Sequence, residues 1–119
     1  MAASAGLNGP HSLSFDGINT VLAVRSPGTF ALGYVGRDNA FYINYVGRSD
    51  EDIGQRLQDL IGSDASFKFS LANSAQEAFW RECELFHMFR PPANRVHPGR
   101  PHNTNWVCPR CNLLESWRR

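Results

Sequence analysis

An α+β fold is what this 119-residue sequence predicts, with a small three-stranded antiparallel sheet flanked by helices. Two observations carry that expectation. Three short stretches alternate or concentrate β-branched and aromatic residues, and two longer stretches place apolar residues three and four apart. The order is strand–strand–helix–strand–helix. With one chain of this length, a single domain with one modest core is expected.

The elements follow in order. Residues 18–26, "INTVLAVRS", form an apolar patch read as a short helix packed on the domain, and "SPG" at 26–28 breaks it. "TFALGYV" at 29–35 alternates, with Phe30, Leu32 and Tyr34 on one face. "GRDN" at 36–39 has the residues of a reversing turn, and "AFYINYVG" at 40–47 is rich in strand formers, so the pair reads as a hairpin. Ser49 is the expected N-cap of a helix whose first turn holds Asp50, Glu51 and Asp52. Its apolar stripe is Ile53, Leu57, Leu60 and Ile61, and Gly62 closes it. "FKFSL" at 67–71 is the third strand. Asn73 or Ser74 then caps a second helix over 75–89, stopped by Pro91 and Pro92.

Composition limits the function classes. No run approaches the roughly 18 apolar residues that span a bilayer, and "MAASAGLNGPHSLSF" lacks the basic start and apolar run of a secretory signal. Residues 1–26 read as a lead-in packed on the domain. Three cysteines is an odd number, which points to reduced thiols and a cytoplasmic location. Charge is uneven: residues 1–80 hold five basic and eight acidic groups, a net of −3, while residues 81–119 hold seven Arg and three Glu, a net of +4. A basic second half suits a phosphate backbone as partner; an Arg-rich solvated surface is the plainer alternative.

Two features of the second helix bear on chemistry. On a helical wheel Glu82 points into the face made by Ala75, Ala78, Phe79, Leu85, Phe86 and Phe89. An unpaired carboxylate there costs several kcal/mol (about 2–7 for a polar group and more for a charge), so a partner is expected: an Arg, a metal ion or a cleft. Arg56, beside the stripe of the first helix, is the Arg expected if Glu82 is half of a buried salt bridge.

Cys83 and His87 lie one turn apart on the flank of the same helix, so both side chains reach a common point. "CPRC" at 108–111 is a tight turn that aims two thiolates at one ion. Cys83, His87, Cys108 and Cys111 together make a Cys₃His set for a structural zinc, because four protein ligands leave no open position. His97 and His102, in the adjoining loop, compete for the histidine place, and a redox pair at Cys108 and Cys111 is the alternative chemistry. The zinc would anchor the C-terminal loop, whose Pro, Gly and Asn give it little periodicity.

"GTF" at 28–30, "YVG" at 45–47, Arg56 within "RSDEDIGQRL", Glu82 closing "EAFWRE" and Asn94 closing "PPAN" fall in order over residues 27–95. This series resembles the GIY-YIG nuclease family, with residues 96–119 as a zinc-knuckle extension. The resemblance implies a metal-dependent endonuclease-like domain that cleaves DNA phosphodiester bonds. In it Glu82 would hold one Mg²⁺ or Mn²⁺ ion, Arg56 would neutralise charge on the phosphoryl oxygens, Tyr45 would position the attacking water and Asn94 would orient neighbouring groups. Two positions depart from the family pattern. Phe30 stands where the family has Tyr, and Leu60 where many members have His or Tyr. These departures define an alternative, a catalytically inactive module of the same fold that binds nucleic acid or protein and is rigidified by zinc.

Overall fold

The computed structural model describes residues 6–111; the outer ends of the lead-in and of the C-terminal extension lie outside them. Seven elements follow one another: β1 (Asn8–Ser12), α1 (Phe15–Val21), β2 (Gly28–Val35), β3 (Phe41–Ser49), α2 (Ile53–Asp59), β4 (Ser66–Leu71) and α3 (Ala75–Phe89). The α+β expectation holds, but the sheet has four strands rather than three, in the order β1-β4-β2-β3 with every pair antiparallel. The additional strand comes from the lead-in. "NGPHS" carries Gly, Pro and polar residues and gives no alternating signal, yet it tolerates Pro because it lies at the sheet edge, where no N–H is demanded at every position.

Both sheet faces are covered. Phe30 and Leu32 of β2 and Phe67 and Phe69 of β4 face α1 and α2, where Ile18, Ile53 and Leu57 complete a buried cluster. Ala31 and Val46 face the other way and meet Leu85 of α3 together with Leu7. Thr29, on that same side, is buried because its hydroxyl donates to the Ala78 carbonyl in α3 at 2.9 Å. The layers are thus α1 and α2, the sheet, and α3.

Helix ends follow capping chemistry. Ser14 and Ser74 cap α1 and α3, accepting from Gly17 N and Glu77 N at 3.0 and 3.1 Å. Helix α2 differs from expectation. Ser49 is the last residue of β3, and Asp52 is the N-cap, accepting from Gln55 N at 3.2 Å. Ser49 still serves the entry, its hydroxyl accepting from Asp52 N at 2.9 Å. Leu60 and Ile61 pack on the core from beyond the helix, and Gly62 has φ +103°, a conformation that favours glycine.

β3 is the other edge strand, and the chain after α3 covers part of it. Ala93 N donates to Asn44 O at 2.9 Å. The Asn94 side chain then pairs with one residue on both sides, accepting from Val46 N at 2.8 Å and donating to Val46 O at 3.0 Å. Asn94 mimics a backbone amide and ends the sheet there. Asn94→Ala should lower stability by about 1–3 kcal/mol, read as a lower urea midpoint with an unchanged slope. Asn94→Gln, with its amide displaced by one methylene, should not restore it.

Candidate functional site

Four potential ligands meet after α3. His87, in the last turn of α3, comes together with His97, Cys108 and Cys111, and their ligand atoms all lie within 4.8 Å of one another. Cys111 Sγ stands 3.2 Å from His87 Nε2 and 3.4 Å from His97 Nε2. For tetrahedral zinc, with Zn–S about 2.3 Å and Zn–N about 2.0 Å, the S···N edge is about 3.5 Å. The donor set and these two edges fit, so this His₂Cys₂ cluster could hold a metal such as zinc. Such an ion would tie α3 to the chain that follows and would leave no ligand position for chemistry.

Local electrostatics favour the metal-binding protonation states. Burial, then electrostatic repulsion from His97, Arg90 and Arg110, lower the His87 pKa and favour the neutral imidazole. Burial alone would raise the Cys108 thiol. Hydrogen bonds involving the Cys111 backbone, His97 and Cys83 outweigh it and bring Cys108 below its ordinary value. The Cys111 N–H donates to Cys108 Sγ at 3.4 Å, the turn geometry expected of "CPRC".

The fourth donor is where sequence and geometry part. Cys83 is fully buried against Cys108 within a cluster that includes Phe79, but it lies outside the four-ligand set, and His97 stands where Cys83 was expected. Burial, followed by the neighbouring Cys108, pushes the Cys83 thiol far up, so it remains a neutral S–H behind the Cys108 sulfur. His102 is exposed and also lies outside the set. Cys83 and Cys108 are free thiols. Trp106 packs on Phe79 with ring centroids 6.0 Å apart, giving the loop an apolar anchor besides the ligands.

Glu82 is buried in α3 as its apolar neighbours demand, and it has an Arg partner. That partner is Arg48 rather than Arg56. Arg48 Nη1 donates to Glu82 Oε1 at 2.6 Å, and its Nε donates to Asp50 Oδ1 at 2.8 Å. The side chains of Arg48 and Glu82 are only 12% and 9% exposed. The Arg48 guanidinium also sits 5.1 Å from the centre of the Phe79 ring. Burial raises the Glu82 pKa more than Arg48 lowers it, so the carboxyl lies above its usual range; Arg56 adds only a minor stabilising charge. Arg48 itself is held charged, because Asp50 and Glu82 outweigh its desolvation.

The other expected site residues are spread out. Arg56 is exposed on α2, above an open surface depression shared with Arg25, Glu51, Asp52 and Asp59. Tyr45 packs with the α1 and α2 cluster, its ring 6.4 Å from Phe30, whereas Glu82 belongs to α3 on the opposite face. Gly47 is required there: a Cβ would come within 2.7 Å of the Phe30 ring and 2.9 Å of the Tyr45 ring. Asn94 is committed to the β3 edge.

Arg48 is the residue that sequence reasoning missed. Its signal was parity: Val46 and Arg48 share the β3 face toward α3. Compared with family models, with curated proteins and with solved structures, the chain matches none.

Proposed function

We propose that this chain is a metal-anchored binding domain of GIY-YIG-like design that holds nucleic acid along the segment after α3 and does not cleave it. The observation that carries this reading is the distribution of cations. Arg90, Arg95, Arg100 and Arg110 are all exposed on that segment, and none has a salt-bridge partner among the described residues. A metal ion held by the cluster would fix the same segment at His97, Cys108 and Cys111. Arginines held on an ordered loop neutralise phosphates with little ordering cost. No helix among the described residues is long and apolar enough to cross a membrane. Cys108, a free thiol at the cluster, suits a reducing compartment such as the cytoplasm.

Cleavage is the second reading, and one observation favours it: Arg56 contributes to the electrostatic field at Glu82. In that reading Glu82 would hold a Mg²⁺ or Mn²⁺ ion, Arg56 would meet the phosphoryl oxygens and Tyr45 would place the water. Against it stand the commitment of Glu82 to Arg48, the placement of Tyr45 over the other face and the lack of a hydroxyl on Phe30.

Both readings are separated by one pair of assays. Duplex DNA affinity should fall with salt at a log–log slope of about −3 to −4, as expected for three or four neutralised phosphates, and supercoiled plasmid should stay intact with Mn²⁺. Nicking that is abolished by Glu82→Gln would establish the second reading. Failure to bind DNA or RNA at low salt would remove the first and leave a protein partner as the occupant.

A further inference from the structure

The β2–β3 hairpin extends past its pairing with β4 and carries two tyrosines that the core does not use. Tyr34 and Tyr42 are paired across the strands, with rings stacked at 22° and centroids 5.4 Å apart. They are 52% and 45% exposed, and Val35 beside them is 43% exposed. A cross-strand aromatic pair stabilises any hairpin, but this one is unusually well fixed for an exposed group. The Tyr42 hydroxyl donates to Asp38, and its ring edge lies close over Gly36, where a Cβ would sit 2.6 Å from Cε2. Asp38 also accepts from Ala40 N at 3.1 Å, so its carboxylate is turned into the loop. Arg37, exposed at the tip, has no salt-bridge partner among the described residues.

We infer that Tyr34 and Tyr42 form a stacking platform for unpaired bases of a single-stranded nucleic acid. This rests on the nucleic-acid reading above and names its preferred strand state. The occupant follows from continuity and charge. Ala93 N meets Asn44 O, so the arginine-bearing segment joins β3 two residues from Tyr42. Arg90 caps α3 before that contact and Arg95 follows Asn94, which pairs with Val46, and both are exposed. Arg37 lies at the tip on one side of Tyr42 along the hairpin, and the arginine-bearing segment meets β3 at Asn44 on the other. A polyanion whose bases are free to stack satisfies both features, whereas a duplex offers phosphates but no open base face. The platform is already ordered by Asp38 and Gly36, so stacking on it costs little side-chain entropy.

The test is fluorescence anisotropy of a labelled oligothymidylate and of a mixed-sequence duplex of equal length, at matched salt. Wild type and Tyr34→Phe should both bind the single strand more tightly than the duplex. Tyr34→Ala should weaken single-strand binding about tenfold while leaving duplex binding and metal content unchanged. If Tyr34→Ala binds the single strand as wild type does, the platform is only a hairpin staple and the inference falls, while the arginine reading stands. If wild type binds neither probe, the arginine reading falls and takes the platform with it.

Discussion

Removing one cysteine ligand should detach the C-terminal segment and cost several kcal/mol, on the order of the larger losses recorded for metal sites coupled to folding. Cys111→Ser is the sharpest variant, because Cys111 Sγ contacts both His87 and His97. The loss should be local. Phe30, Leu32, Ile53 and Phe67 belong to a cluster separate from that of Phe79, Cys108 and Trp106, so the sheet should stay folded. Hydrogen exchange should therefore rise after α3 and stay low in β2 and β4. Acid should act in the same direction. The folded-state pKa of His87 is depressed, so the unfolded chain takes up more protons as pH falls through about 6.5, and stability declines as it falls. Cys108, also depressed, has the same sign at higher pH. The metal ligands must be deprotonated, so bound ion should be released by acid together with this loss. A Cys111→Ser protein that melts and exchanges like wild type would mean the cluster does not anchor the loop.

Arg48→Met should be the most damaging substitution outside the metal cluster, at about 3–5 kcal/mol. It leaves the Glu82 carboxylate, 9% exposed, without its cation, and removes the stack on Phe79. Glu82→Gln should cost much less, because Arg48 keeps its bond to Asp50 and the amide oxygen can still accept. The double variant Arg48→Met/Glu82→Gln should recover most of the loss. pH gives an independent check. The Glu82 pKa is already raised in the fold, so its neutral form is favoured there; its contribution is fully present below the unfolded carboxyl value and is lost as pH rises through the folded one. Removing Arg48 raises it further, so the deficit of Arg48→Met should shrink as the solution is acidified below neutrality. Urea midpoints of the three variants across pH read this out. Equal losses for Arg48→Met and Glu82→Gln at every pH would contradict the assignment.

Legibility followed the range of the interactions involved. The hairpin, β4 and α3 were readable because "TFALGYV", "FKFSL" and the stripe around Phe79 and Leu85 encode burial locally. β1 was not, because "NGPHS" is held by pairing to Phe67 and Phe69 rather than by its own pattern. Glu82 stood out because a carboxylate on an apolar face needs an explanation. Its partner did not, since the facing of Arg48 depends on a register that shifts between Leu32 and Gly33, where a Cβ on Gly33 would strike the Tyr42 carbonyl. The candidate metal cluster was half visible. Cys108 and Cys111 are set by a tight turn and His87 by its place on α3, but His97 reaches the cluster only through the path of the loop. Cys83 has the right helical spacing and the wrong depth, fully buried behind Cys108.

The central claim is a four-ligand metal centre of two imidazoles and two thiolates. Titration of the reduced, metal-free protein with Co²⁺ tests it most directly, because tetrahedral cobalt absorbs strongly and its thiolate charge-transfer intensity scales with the number of sulfur ligands. Saturation at one ion per chain, with two-thiolate intensity that survives Cys83→Ser and a cobalt affinity that is unchanged in Cys83→Ser but falls in His97→Ala, is the predicted result. Three-thiolate intensity lost in Cys83→Ser, or no tetrahedral band at all, would contradict it.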